Sequence, residues 1–488
     1  MLFSSGEFML FFPIVCILYY AIPQRFRHIW LLGVSYFFYI CFSPTFAILL
    51  LALTLLSYAW GLLLQREGLR CRKLWTGIGI ALLFAPLVFF KYAQFILNNL
   101  SAALGLAGIS YVAPTLSFLI PVGISFYTFQ AIGYVIDVYR GTPAEHNLLR
   151  YGAFLSFFPI LASGPIERSD NLLRQLREEH LFDTHNIKRG LLMMLWGFFL
   201  KLVLADRLAL FVTQVFDNYT SYAGLQLAVG ALFFGVQLYC DFASYSFLAL
   251  GAGEVMGFSL INNFNTPYFS LSISEFWRRW HISLSSWFRD YLYIPLGGNR
   301  KGKVRKYFNI MVVFLVSGLW HGSAWNYIAW GALNGLYQVI GDLFKPLRQK
   351  LCRLLHIDIN NSGNRILRMI FTFLLVNFAW IFFRAPSLRT ALSYVKRMFS
   401  VWNPWVLVNG SLYKMGLNQA NFTLVLIAMG ILFWVSVCQY RGIDLRERLL
   451  SQGLAFRWIV YLLCIFFVLI FGIYGPGYSA ASFIYFQF

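Results

Sequence analysis

The sequence predicts an all-α, polytopic membrane protein, and three observations carry that prediction. Of the 488 residues, 59% are hydrophobic and only 12% charged, whereas an ordinary soluble domain carries about a quarter charged residues. Apolar runs recur along the chain at 8–22, 29–43, 45–64, 75–97, 115–136, 190–215, 223–240, 307–320, 322–341, 369–383, 420–438 and 458–474. Phe, Tyr and Trp make up 19% of the residues, and many stand where apolar runs meet charged ones, where amphipathic rings settle at a membrane surface; others fill a core.

A span needs roughly 20 mainly apolar residues, fewer where protein buries it, so these runs amount to about 11 transmembrane helices. The first run carries only Glu7 as a charged residue ahead of it, so it reads as a first span and not as a cleaved signal peptide with a basic leader. Segment 152–164, broken by Pro159, Gly164 and Pro165, and the glycine-containing segment 242–258 read as re-entrant. Irregular backbone at membrane depth is tolerated only where protein buries it or water lines it, which points to a central cavity. The expectation is one membrane domain over residues 1–488, with a catalytic core at about 115–345 and a C-terminal external aromatic tail at 483–488.

A formal net charge of +20 would suit nucleic acid in a soluble chain. Here the basic clusters at 25–27, 66–73, 300–306, 345–353 and 441–448 mark cytoplasmic loops and anionic headgroups instead. Threading them inside leaves the C-terminus outside and puts Arg384, Arg389, Lys396 and Arg397 on the external side, unless they form a surface-lying helix. The seven cysteines show no CxxC and no paired spacing, so they signal neither metal site nor disulfide framework and read as apolar fillers.

Ionisable residues within apolar runs are costly, and each is a candidate for function. Lys201, Asp241 and His321 are such residues. His321, between two apolar runs and flanked by Gly318 and Gly322, is the sharpest: a desolvated imidazole remains a base near neutral pH. The alternative is a buried histidine that only bonds a carbonyl. The segment from Ser274 to Tyr291 is dense in Trp, Arg and His. Read as one helix it puts Trp277, Trp280, Leu284 and Trp287 on one face, as for a helix lying at an interface. Alternatively Arg278 and Arg279, with Arg300, Lys301 and Lys303 downstream, receive an anionic cytoplasmic donor such as coenzyme A. The Gly297-Gly298-Asn299-Arg300 turn lacks the spacing of a phosphate loop.

Three blocks then resemble the membrane-bound O-acyltransferase (MBOAT) family, in its bacterial branch of alginate O-acetylation and teichoic-acid D-alanylation proteins. They are Ser125 to Gln130 through Asp137 to Gly141, Asn262 to Tyr268 through Trp280-His281 to Gly298, and Gly318-Leu319-Trp320-His321-Gly322. Two departures stand out: Ile160 where relatives often carry Gln, and Phe247 where they carry Asp. The resemblance implies a ring of helices around a thinned centre with a tunnel, His321 as principal catalytic histidine and His281 as the second. With it, Arg278, Arg279, Trp320 and Asp241 become the candidate donor-binding residues, and no metal is expected.

It implies acetyl-CoA as acyl donor, a bacterial inner-membrane location, a polysaccharide acceptor reached indirectly, and a periplasmic or extracellular acyltransferase partner. D-alanyl transfer to teichoic acid, and a transporter or lipid scramblase, are the alternatives. The final Phe483-Ile484-Tyr485-Phe486-Gln487-Phe488 reads as an interfacial anchor. By resemblance to aromatic C-terminal motifs in the branch, Tyr485 is instead a candidate acyl carrier, because a phenol of pKa about 10 leaves far more readily than a sugar hydroxyl.

Overall fold

The computed structural model describes residues 3, 5–116, 118–359 and 361–474. These residues are helical throughout, apart from loops and one isolated antiparallel bridge between Phe264 and Trp280. Contacts divide them into two compact units, Met1–Leu191 with Leu248–Ile261, and Leu192–Phe247 with Asn262–Phe488.

Six helical stretches are long and apolar enough to cross a membrane: Pro44–Gln65, Arg72–Leu106, Leu225–Val255, Ser362–Arg384, Gln419–Tyr440 and Leu454–Phe471, with Gly6–Ala21 as a shorter apolar helix. The protein is thus a multi-pass membrane protein. The other expected runs form helices diluted by polar residues, as in Trp325–Leu343, which buries Asn326 and Asn334. Leu454–Phe471 buries only Val468 and exposes Leu463, Phe466 and Ile470, a surface suited to lipid tails.

The first unit begins with Gly6–Ala21, capped by Ser5, whose hydroxyl accepts from the Phe8 N–H. Gln24–Ile40, Pro44–Gln65 and Arg72–Leu106 follow, the last with a π-helical turn at Val88–Tyr92. The expected span 115–136 is helical only from Ile124 to Tyr139. Residues 109–116 and 118–121, which include Pro114 and Pro121, are not helical, and Gly123, at φ +75°, makes the entry turn with no room for a side chain against the Leu161 carbonyl.

The expected break in 152–164 occurs between the helices Leu148–Ser156 and Phe158–Leu161. Residues 151–167 are all buried, and the Phe158 N–H finds the Ser35 hydroxyl at 3.0 Å, so the interrupted backbone is satisfied within protein. The other expected re-entrant segment is corrected: residues 242–255 continue one helix from Leu225, since isolated glycines cost a helix only about 1 kcal/mol each and do not end it.

In the second unit, Gly302–His321 and Trp325–Leu343 form a tight hairpin, followed by Ser362–Arg384. A side chain on Gly318 would strike the Tyr327 carbonyl oxygen and one on Gly331 that of Phe314; both glycines let the two backbones touch, as small residues do in membrane helix pairs. Leu388–Ser400 is a separate amphipathic helix that buries only Ala391 and Tyr394, while Arg384 pairs with Asp217 and Arg397 donates to the carbonyls of Thr220 and Tyr222. The cysteines are free: Cys240 is buried, Cys16, Cys352 and Cys438 are half-buried, and Cys41, Cys71 and Cys464 are exposed.

Candidate active site

The expected single helix through residues 274–291 is two seven-residue helices, Ile273–Arg279 and Ile282–Phe288. The break falls at Trp280 and His281, and His281 takes a left-handed conformation at φ +45° and ψ +53°, which costs a side-chain-bearing residue about 1–2 kcal/mol. The interfacial-face reading is therefore corrected: Trp277, Trp280, Leu284 and Trp287 are all buried, but Trp277 is on the first helix, Trp280 at the break, and Leu284 and Trp287 on the second.

Local bonds hold this corner. The first helix starts at Ser272, whose hydroxyl accepts from the Glu275 N–H, while the Glu275 carboxylate accepts from the Leu271 N–H. The strand-like residues 263–265 run beside the corner: the Asn265 N–H donates to the Arg279 carbonyl and the Ile282 N–H to that of Asn263. Asn263, fully buried, accepts at Oδ1 from the Ser283 N–H (3.3 Å) and hydroxyl (2.6 Å) and donates from Nδ2 to Ser246 Oγ (3.1 Å). These bonds offset the strain at His281 and fix where its ring points.

That ring meets Phe242 edge-on at 4.6 Å, Trp320 at 5.8 Å and the ring of His321 at 6.4 Å. Complete burial pushes the His281 pKa down to about 3, so its imidazole is neutral at physiological pH. His321 ends the Gly302–His321 helix. Its ring lies among Trp320 (4.8 Å), Trp330 (5.0 Å) and Phe383 (5.3 Å). Trp330 stacks on Trp380 at 5.5 Å, and Trp380 reaches Trp280 at 5.2 Å, closing an aromatic cage around the two histidines.

Two asparagines set the cage. Asn334 Oδ1 accepts from the Trp277 indole (3.1 Å) and its Nδ2 donates to the Trp330 carbonyl (2.9 Å). Asn326 Nδ2 donates to the carbonyls of Phe382 and Ala385, which fixes the helix end that carries Phe383. The indole nitrogens of Trp330 and Trp380 are buried with no hydrogen-bond partner among the described residues; an unsatisfied buried donor is costly and asks for a role.

The sequence candidates fall in different surroundings. His321, His281 and Trp320 come together in the cage. Arg278 is exposed. Arg279 pairs with Glu275 at 2.8 Å and donates to Thr266 Oγ1 and the Asn265 carbonyl. Asp241 lies in a buried ion cluster, accepting from Lys201 Nζ at 2.6 Å, with Asp206 3.0 Å from the same nitrogen. Tyr485 lies outside the described residues. Gly297 and Gly298 turn the chain at φ +104° and +53°, and Asn309 holds the turn by donating to the Gly298 carbonyl at 2.9 Å.

Sequence reasoning missed Asn263, Trp330, Trp380 and Phe383. Asn263 lies inside a block that already stood out, and as a polar residue beside aromatic ones it invited the question of what it bonds. Trp330 and Trp380 carried no such signal, because a tryptophan in an apolar run reads equally as core.

Residues 143–383 match the model of the membrane-bound O-acyltransferase family. The alginate O-acetylase AlgI of Azotobacter vinelandii is 40% identical over 450 residues, covering 90% of this chain and 85% of that one. A peptidoglycan O-acetyltransferase of Helicobacter pylori is 34% identical, covering 78% and 75%. A teichoic acid D-alanyltransferase of Streptococcus thermophilus is 33% identical, covering 48% and 60%.

Proposed function

Since this chain belongs to the membrane-bound O-acyltransferase family, we propose that it takes an acetyl group from cytoplasmic acetyl-CoA and passes it across the bacterial inner membrane for O-acetylation of an envelope or exported polysaccharide. The observation that carries this reading is the pair of buried histidine rings 6.4 Å apart within one aromatic cage.

In the proposed step an imidazole nitrogen of His321 removes the proton from an acceptor hydroxyl as that oxygen attacks the thioester carbonyl. The tetrahedral oxyanion is met by the indole N–H of Trp330 or Trp380, donors that have no other partner among the described residues. Collapse expels the thiolate of coenzyme A, which takes the proton back from His321. His281, beside His321, orients the acceptor hydroxyl, and Trp320 forms part of the wall against which the thioester lies.

Arg278 is the exposed guanidinium suited to the phosphates of the donor, with Arg279 as a supporting residue of the donor-binding region, while Asp241, held by Lys201, supports the fold around it. The acceptor hydroxyl belongs to a polymer, to a periplasmic or extracellular acyltransferase partner that completes the transfer, or to Tyr485. Residues 115–345, together with Trp380 and Phe383 from the helix Ser362–Arg384 that follows, supply the chemistry of one membrane domain.

The test is acetylation of the polymer by cells carrying His321→Ala. Acetylation should vanish while the variant reaches wild-type abundance in the membrane; acetylation that persists removes His321 from the mechanism. The 33% identity to a D-alanyltransferase over part of the chain supports D-alanyl transfer as the second reading, and the mass of the group added to the acceptor separates the two.

A further inference from the structure

Within the second unit a half-open apolar cavity of about 520 Å³ lies between residues 236–239, 266–269, 366–373 and 429–436. Its walls are preformed: Tyr268 donates its hydroxyl to the Gly235 carbonyl and meets Phe373 edge-on at 5.0 Å. Ile366, Ile370 and Phe433, which line it, are also exposed, so the cavity opens on an apolar outer surface of spanning helices.

One end of the cavity is basic. Phe269, in its wall, stacks on Tyr440 at 5.3 Å. The Tyr440 hydroxyl accepts from Arg365 at 2.7 Å, and the Arg279 guanidinium lies 5.5 Å from its ring centre. Arg368, three residues on from Arg365 along the helix, has a buried Nε with no hydrogen-bond partner among the described residues. Arg348 and Arg365 act on Arg368 electrostatically, as does the acidic Glu275, which is itself paired with Arg279.

A free anion would use the arginines and leave the cavity without purpose. A pure hydrocarbon would do the reverse. A molecule with a phosphate at one end and an alkyl chain at the other satisfies both. We propose that this site binds one phospholipid from the bilayer, with an acyl chain in the cavity and the headgroup phosphate on Arg365 and Arg368.

The test uses the full-length protein, purified in detergent and stripped of lipid, with a photoactivatable phosphatidylglycerol carrying a diazirine in its acyl chain. Mass-spectrometric mapping should find saturable label on peptides containing 366–373 and 429–436, competed by unlabelled phosphatidylglycerol. Replacing Arg365 and Arg368 together by Gln should weaken binding about thirtyfold. Filling the cavity with Ile370→Trp should abolish the label; should that variant fail to fold, the wild-type map and the arginine variant decide. Label spread evenly over the outer helices, or unchanged in the arginine variant, overturns the proposal. Inorganic phosphate and coenzyme A serve as competitors: displacement by either at millimolar concentration would assign the arginines to a soluble phosphate and overturn it, and failure to displace supports it.

Discussion

Lys201 and His281 are equally buried in the second unit, and the protein treats them in opposite ways. Lys201 is ionically matched, with Asp241 at 2.6 Å and Asp206 at 3.0 Å, Asp206 from the next turn of the same stretch and Asp241 from the helix Leu225–Val255. The rings of His281 and His321 lie 6.4 Å apart among Phe and Trp rings, His281 on a corner held in a left-handed conformation. A buried charge that finds its counter-charges belongs to the architecture. In the proposed function the two ionisable rings kept among aromatic walls, that of His281 on strained backbone, serve the chemistry instead. Both kinds of residue looked alike in the sequence, as ionisable groups in apolar runs, and the contrast between them can be broken by experiment.

The largest effect should come from His321→Ala. Losing the general base should lower transfer by about 10²–10⁴-fold, with the thermal midpoint of the purified protein unchanged. The opposite signature is expected at the ion cluster. Lys201→Met leaves two buried carboxylates uncompensated and should cost about 3–5 kcal/mol of stability, seen as loss of membrane abundance and of the thermal midpoint together. Asp241→Asn should follow Lys201→Met in this. A folded, stable Asp241→Asn protein that has lost only donor affinity would move Asp241 from architecture to the donor site.

Trp330→Phe sharpens the chemical side. The ring and its packing on His321 are largely kept, and only the indole donor is removed, so a fall of about 10²–10³-fold in the rate of transfer is expected. The readout is turnover at saturating donor: a change confined to the apparent donor affinity would mean that the indole binds substrate and does not stabilise the oxyanion. Asn263→Ala comes next. It frees the Ser283 hydroxyl and N–H and should cost about 1–3 kcal/mol, felt as slower transfer through a misplaced His281. Asn263→Asp, which keeps the acceptor oxygen for Ser283, should recover part of the rate; equal loss in both variants would argue against a positioning role.

Much of this was legible in advance because membranes punish exceptions. Long apolar runs, the break at Pro159 and the isolation of His321 follow from the cost of polar backbone and charge in an apolar setting. The motif blocks brought His281 and Trp320 to attention alongside it. Two kinds of feature stayed hidden. Periodicity joined residues 274–291 into one helix because it cannot register a single left-handed residue, and that corner depends on Asn263, distant in sequence. The roles of Trp330 and Trp380 depend on where an indole nitrogen points, which composition does not encode. Glycines misled in one place: those near 251 lie inside an unbroken helix, whereas Gly318 and Gly322, beside His321, allow close approach of the backbone and ring of Tyr327.

Glu167, in the first unit, extends the comparison to a buried carboxylate that has mainly neutral partners. It lies in a loop outside the spanning helices and accepts from the Ile261 N–H at 2.6 Å and Asn171 Nδ2 at 2.8 Å. Burial pushes its pKa up to about 7, against the opposing pull of Ile261, Asn171 and the Arg168 N–H. The folded protein therefore holds a proton that the unfolded chain releases near the ordinary value of 4.5. The stabilisation from this group is complete below that value and is lost as pH rises through about 7. Glu167→Gln, which cannot ionise, should flatten the thermal midpoint between pH 5 and 8, where the wild type should lose stability. An unchanged slope in the variant would mean that a group other than Glu167 sets the pH dependence.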